Sequence, residues 1–189
     1  MLKTKINENT LELIIGDITE QETEAIVNAA NGSLLGGGGV DGAIHQGAGR
    51  ALLDECKKIR MEKLNGEELP AGEAVITKGY DLPAKWVIHT VGPIWTGGSD
   101  REEEKLASCY RNALNIALEN NLKSISFPSI STGVYRFPIE KAAVIALRSV
   151  VDLLEKHSFG YVAFTLFSDH DYRVYEAALN RILHDEKDR

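Results

Sequence analysis

The chain has 189 residues, 43% of them hydrophobic, and a formal net charge of −7. That length suits one full core, so residues 1–189 are expected to form a single domain, and the acidic balance argues against unassisted binding to nucleic acid or an anionic membrane. Cys56 and Cys109 are too few and too far apart for a disulfide scaffold or a four-ligand zinc site, no apolar run reaches membrane-spanning length, and "MLKTKINENT" lacks the apolar core of a signal peptide. The expectation is a cytoplasmic protein, and a monomer by default.

Apolar runs alternate with helical patterns along the chain. "LELIIGDI" (11–18) and "TEAIVNAA" (23–30) read as strands, the second running straight into glycines. "DGAIHQGAGRALLDECKKIR" (41–60) has Ile44, Ala48, Leu52, Leu53 and Cys56 at helical spacing. "EAVITKGY" and "KWVIHTVG" read as an adjacent strand pair. "REEEKLASCYRNALNIALENN" (101–121) is a helix with acids at the positive end of its dipole. "SISFPSIS" (124–131) is a strand, "PIEKAAVIALRSVVDLLEKH" (138–157) a helix opened by proline, and "YVAFTLFS" (161–168) a strand covered on both faces. "DHDYRVYEAALNRILHDEK" (169–187) is a closing helix with Asp169 suited to its N-cap. This alternation predicts an α/β fold, a three-layer α/β/α sandwich on a mixed, largely parallel sheet. Ligands of such sheets sit beyond the carboxyl ends of the strands, which directs attention to the loops after residues 30, 130 and 167.

The first of these loops is "GSLLGGGGVDG" (32–42). Four consecutive glycines cost backbone entropy. They also let main-chain N–H groups converge on an anion ahead of a helix start. A plain connector is the alternative, and the position between strand and helix favours the anion site. No Gly-Lys-Ser/Thr follows, so the loop is not one that wraps a triphosphate. The match to G-x-G-x-x-G is cheap in a glycine run, and Asp54 and Glu55 are poor matches to the acid such a fingerprint requires. The second loop, "SISTGVYRFP" (129–138), offers N–H groups and two hydroxyls at Ser131, Thr132, Gly133 and Val134, followed by Tyr135. Alone it reads equally well as a turn with a structural glycine. Two such loops on one sheet edge suit a diphosphate gripped from both sides.

Asp17, in "GDIT", can accept a hydrogen bond from an exocyclic amine with Ile18 backbone beside it, although capping of the next turn is the commoner role. Phe167 offers an aromatic face to a base, against a base rate that favours core packing. His45 lies one turn after Asp41 and more often packs than transfers protons. His89 reads as structural. His157, His170 and His184 lack metal spacing, and Ser131 has no recognisable histidine–acid partnership.

Taken in order, "GDIT", "NAAN", "LLGGGGVDGAIH", "HTVGPIW" and "STGVY" resemble the macro domain family, most closely its MacroD-type branch with the bacterial O-acetyl-ADP-ribose deacetylases. The resemblance runs from about Leu11 to Leu183. It implies an α/β/α fold that binds ADP-ribose without metal or cofactor. On this resemblance Asp17 and Ile18 read the adenine and Phe167 packs against it. Gly38, Gly39 and Val40 line the first phosphate loop. Ser131, Thr132, Gly133, Val134 and Tyr135 form the second and approach the distal ribose. Asn31 and Asp41 match the branch's two catalytic positions, with Asn31 using its whole amide to hold ribose hydroxyls and Asp41 positioning a water. The implied reaction is hydrolysis of ribose esters: acetate from O-acetyl-ADP-ribose, or mono-ADP-ribose from Asp or Glu of ADP-ribosylated proteins. Arg136 stands where many members have glycine and is expected to face solvent. The alternatives are a non-catalytic ADP-ribose reader, an ADP-ribose-1″-phosphate phosphatase, and a protein regulator that uses the fold as a docking surface.

Overall fold

Seven strands share one sheet in this computed structural model, which describes residues 1–189. They are β1 (Lys3–Ile6), β2 (Asn9–Ile15), β3 (Ala25–Ala30), β4 (Ala74–Lys78), β5 (Trp86–Val91), β6 (Ser124–Phe127) and β7 (Tyr161–Leu166), in the order β1-β2-β7-β6-β3-β5-β4. The five inner strands run parallel, while β1 and β4 pair antiparallel at the two edges. The expected mixed sheet is therefore present, with the β4–β5 pair as its antiparallel side. Five helices complete the fold: α1 (Gly39–Ala48), α2 (Arg50–Glu62), α3 (Glu102–Glu119), α4 (Ile139–Lys156) and α5 (Asp169–Lys187).

The pleat divides the core. Along β3, Ala25 and Val27 face a large apolar core with α3, α4 and α5, while Ile26 and Ala30 face a smaller one with α1 and α2. Strands buried on both faces account for the near-continuous apolar runs of β3, β5 and β7. Because β2, β3, β5, β6 and β7 are parallel, the loops leaving Ile15, Ala30, Val91, Phe127 and Leu166 all emerge at one edge.

Four local expectations change. The single helix over 41–60 is two helices, broken at Gly49. Its φ of 87° is left-handed, and an added Cβ would stand 3.0 Å from the Asp81 carboxylate. The first strand starts at Asn9 and stops at Ile15, and β1 precedes it inside the polar N-terminal stretch. Strand β6 ends at Phe127, ahead of Pro128, which has no N–H for a ladder. Finally, the N-cap of α5 is Ser168, whose hydroxyl accepts from the Asp171 N–H at 3.1 Å; Asp169 is the first helical residue.

Candidate functional site

A cleft of about 450 Å³ opens at the carboxyl edge of the sheet, where β3 and β5 end and the two singled-out loops face each other. Its walls are Ala29, Ala30 and Asn31 from the end of β3, Gly37 to Asp41, Gly92, and the loop 129–135 apart from Thr132. A larger hollow of about 590 Å³ lies between α2 and the edge strand β4, lined by solvated acids and lysines such as Glu62 and Lys58. No unpartnered buried side chain belongs to that hollow's lining, whereas Asp41 and Ser131 in the sheet-edge cleft each carry one. Nowhere do three His, Cys, Asp or Glu side chains converge as a metal ion would require.

The first loop is built to expose backbone. Gly38 is the N-cap of α1 and supplies no side-chain cap, so the N–H groups of Gly39, Val40 and Asp41 donate to nothing in the protein. A Cβ at Gly38 or Gly39 would meet open space, and Gly39 has φ +56°. Gly42 is needed for a different reason: a Cβ there would approach the Gly37 carbonyl oxygen to 2.5 Å. The glycines thus serve both access and close packing, with the positive end of the α1 dipole aimed into the cleft.

The second loop is held from below. Tyr110 of α3 donates its hydroxyl proton to the Pro128 carbonyl at 3.2 Å and accepts from the Ile130 N–H at 2.9 Å. Tyr175 of α5 donates to Ser129 Oγ at 2.9 Å. Burial raises both phenols, Tyr175 to about 12, so both remain proton donors at neutral pH. Above them the Trp95 N–H bonds the Tyr135 carbonyl at 2.8 Å, and the Phe137 N–H closes the turn on the Ser131 carbonyl at 2.9 Å. The N–H groups of Thr132, Gly133, Val134 and Tyr135 are left without an acceptor in the protein. Ser131, at φ +68°, carries a buried and unpartnered hydroxyl. Thr132 differs: its hydroxyl bonds Ser129 Oγ at 2.9 Å and so belongs to the turn.

Between the loops stands Asp41, buried in the first turn of α1. Its Oδ1 accepts from Asn28 Nδ2 at 2.9 Å and lies 3.5 Å from His45 Nε2. Its Oδ2 has no partner. Asn31 also lines the cleft, but its amide is less free than expected. Nδ2 donates to the Gly36 carbonyl at 2.9 Å, and Oδ1 accepts from both the Ser33 N–H and hydroxyl. One Nδ2 hydrogen is left for a ligand.

Asp17, Ile18 and Phe167 lie outside that cleft, at the ends of the paired strands β2 and β7. The sheet order continues from these strands through β6 to β3, so they extend the same edge. Asp17 does cap the following turn: its Oδ1 accepts from the Thr19 N–H and hydroxyl at 2.9 and 2.6 Å. Ile18 is buried in the smaller core. Phe167 is 84% exposed, which removes core packing as the reason for an aromatic there. Arg136 is exposed and joins no ion pair, as expected, at φ +60°.

Asn28 is the residue that sequence reasoning passed over. It is a polar side chain inside "AIVNAA", a strand covered on both faces, and such a residue needs a buried partner. Gly92 was missed as well, and its role lies in a contact no local pattern encodes: a Cβ there would reach 2.1 Å from Ser131 Oγ.

This geometry agrees with what the chain resembles. Residues 27–146 match the model of the Macro domain family. A macro domain-containing protein of Caldanaerobacter subterraneus is 56% identical over 172 residues, covering 91% of this chain and 97% of the relative. A Klebsiella pneumoniae protein named O-acetyl-ADP-ribose deacetylase is 52% identical over 169 residues, 89% of this chain and 95% of its own length. Among solved structures, the Oceanobacillus iheyensis macrodomain with ADP superposes with a TM-score of 0.95 at 55% identity, covering 97% of both chains. The Trypanosoma brucei macrodomain in complex with ADP-ribose gives 0.81 at 42% identity, covering 89% of this chain and 68% of that one. With a family model spanning well over half of the sequence and relatives alike over nearly all of it, the chain belongs to the macro domain family.

Proposed function

We propose that this protein binds ADP-ribose along the carboxyl edge of its sheet and hydrolyses acyl esters of the distal ribose. The observation that carries the reading is the pair of facing loops whose N–H groups, Gly39 to Asp41 and Thr132 to Tyr135, have no acceptor in the protein. Charge-assisted hydrogen bonds to a diphosphate contribute about 1.5–3 kcal/mol each. A few of them, with adenine burial between Phe167 and the Asp17–Ile18 turn, suffice for micromolar affinity, about −8 kcal/mol. Similarity to proteins solved with ADP and ADP-ribose supports the ligand, and relatives named O-acetyl-ADP-ribose deacetylase support the reaction.

In the proposed chemistry a water adds through its oxygen to the acyl carbon. The ester bond to the ribose oxygen breaks, that oxygen takes up a proton, and a carboxylic acid leaves as its carboxylate and a proton. Asp41 Oδ2, buried and unpartnered in the cleft wall that Asn31 shares, orients the water or the neighbouring ribose hydroxyl. The remaining N–H of Asn31 holds a ribose oxygen. O-acetyl-ADP-ribose and ADP-ribose esterified to a protein Asp or Glu share this bond, so one site serves both.

Calorimetry with ADP-ribose, followed by product analysis on both ester types and on ADP-ribose-1″-phosphate, tests the reading. Micromolar binding with release of acetate or mono-ADP-ribose is expected, and Asp41→Ala should keep the binding and lose at least about a hundredfold in turnover. Binding without any product would make the protein a reader, and phosphate as the only product would make it a phosphatase.

A further inference from the structure

Behind Asp41 a line of polar side chains crosses the buried face of the sheet. In the parallel register of β3 and β5, Asn28 stands beside His89, and β4 brings Thr77 next to them. Asn28, His89 and Thr77 are all buried to 1% exposure or less. Asn28 Nδ2 lies 2.9 Å from Asp41 Oδ1 and 3.1 Å from His89 Nδ1; His89 Nε2 lies 2.9 Å from Thr77 Oγ1.

The directions of these bonds are not free. A carboxylate accepts only, so the Asn28 atom facing Asp41 is the amide nitrogen. The second hydrogen of that nitrogen points at His89 Nδ1, which must then be the bare, accepting nitrogen. The imidazole proton sits on Nε2 and is donated to Thr77 Oγ1. The Thr77 hydroxyl in turn donates to main-chain carbonyls, Lys78 at 3.1 Å or Val87 at 3.5 Å. Each link fixes the next, from main chain to threonine, histidine, amide and carboxylate.

We propose that His89 is a positioning residue for the reaction: locked as the Nε2–H tautomer by Thr77, it holds the Asn28 amide in the one orientation that anchors Asp41 Oδ1 and leaves the unpartnered Oδ2 for the substrate. The inference rests on the catalytic role proposed for Asp41. With the opposite tautomer, an Nδ1–H would draw Asn28 Oδ1 towards it. The amide would flip, and its oxygen would face the carboxylate at 2.9 Å. Asp41 would lose its anchor and gain a repulsion. Nothing else in the chain bonds Asp41 as closely, since His45 Nε2 stands at 3.5 Å. The arrangement also explains a neutral histidine here: burial holds His89 down to about 3, with neighbouring His45 adding to the effect.

The test compares three variants on a ribose ester. Thr77→Val keeps the shape of the side chain and removes the acceptor for Nε2–H. His89→Leu removes the relay. His89→Gln restores it, because its carbonyl can accept from Asn28 while its amide donates to Thr77. Thr77→Val and His89→Leu are expected to lower kcat about tenfold or more while the Kd for ADP-ribose stays within about twofold, since a misplaced group costs the chemistry and leaves the phosphate cradle alone. His89→Gln should recover most of the rate. Nitrogen-15 NMR of the wild-type protein should show Nδ1 unprotonated and Nε2 protonated. Unchanged kcat in Thr77→Val and His89→Leu, parallel losses of kcat and affinity, or an Nδ1–H tautomer would each overturn the inference. Should His89→Leu fail to fold, Thr77→Val and the tautomer decide it. A wild-type protein that releases no product defeats the proposed activity instead, and the NMR result then judges the hydrogen-bond line by itself.

Discussion

Asn28 and Asp41 meet at 2.9 Å between strand β3 and helix α1, amide nitrogen to carboxylate oxygen, in a place closed to solvent. The contact joins the sheet to the first turn of the helix that borders the glycine loop. It therefore sets where the Asp41 carboxylate stands relative to the N–H groups of Gly39 and Val40, and it makes the buried polar line part of the site's geometry.

That line has a consequence for stability against pH. His89 is held neutral down to about 3 in the folded chain, whereas an unfolded histidine protonates near 6.5. The unfolded state thus binds the extra proton between these values. The stability linked to His89 is fully present above about pH 6.5, falls by about 1.4 kcal/mol per pH unit below it, and is lost by about pH 3. Urea unfolding of wild type and His89→Gln across pH 4 to 8 should show the two curves diverging below pH 6.5, the wild type falling faster. Parallel curves would mean that His89 is charged or solvated in the fold.

Gly92 and Gly133 should respond differently to the same substitution. Gly92→Ala would push a methyl group to 2.1 Å from Ser131 Oγ and 2.6 Å from the Ile130 side chain, so the second loop must shift. A loss of about 1–3 kcal/mol in stability is expected, with ADP-ribose affinity down by about tenfold as the loop N–H groups move. Gly133→Ala places its methyl group in open space at a backbone angle open to alanine, so its melting temperature should stay within about 2 °C of wild type. Differential scanning calorimetry and ligand titration read both.

Arg136 pays for its position in backbone strain. At φ +60° a side chain costs about 1–2 kcal/mol relative to an ordinary conformation, and the exposed guanidinium has no ion-pair partner to offset it. Arg136→Gly should therefore stabilise the protein by about 0.5–1 kcal/mol after the greater entropy of unfolded glycine is subtracted. Denaturant midpoints check this, and a destabilised variant would show that the arginine side chain makes a contact worth more than the strain.

Phe167 offers a test of the far end of the edge. Being 84% exposed, it contributes little to folding, and Phe167→Ala should leave stability within about 0.5 kcal/mol of wild type. If its ring packs on adenine, ADP and ADP-ribose should each lose about 1 kcal/mol of binding. Ribose-5-phosphate, which has no base, should bind as before. Equal losses for all three ligands would place Phe167 in some other role.

How much of this was legible in the sequence depends on whether the cause was local. Helix α5 follows its pattern from Asp169 to Lys187, because apolar spacing and a charged terminus are written in adjacent residues. The placement of the two loops at one sheet edge was legible as well, since each follows a buried strand and precedes a helix. The break at Gly49 was not: Gly49 sits in a continuous helical pattern, and the neighbouring Ala48 carbonyl accepts from the N–H of Asp81, more than thirty residues away. Strand β1 was missed because its pairing with β2, not its polar composition, makes it a strand. Within the site, Asp41 and Asn31 were visible from motif order. The spent half of the Asn31 amide was not, because it depends on the turn through Ser33 and Gly36. The Asn28–His89–Thr77 line was hidden for the same reason: three strands must come into register before those residues touch.

In the proposed function two loops of one sheet edge offer main-chain N–H groups to a diphosphate, with Asp41 beside the sugar beyond it. A crystal structure of the protein with ADP-ribose tests this most directly. Phosphate oxygens are expected within about 3.2 Å of N–H groups from both loops, Gly39 to Asp41 on one side and Thr132 to Tyr135 on the other, with the distal ribose beside Asp41 Oδ2. A nucleotide bound by one loop alone or away from this cleft, or a distal ribose out of reach of Asp41, would contradict it.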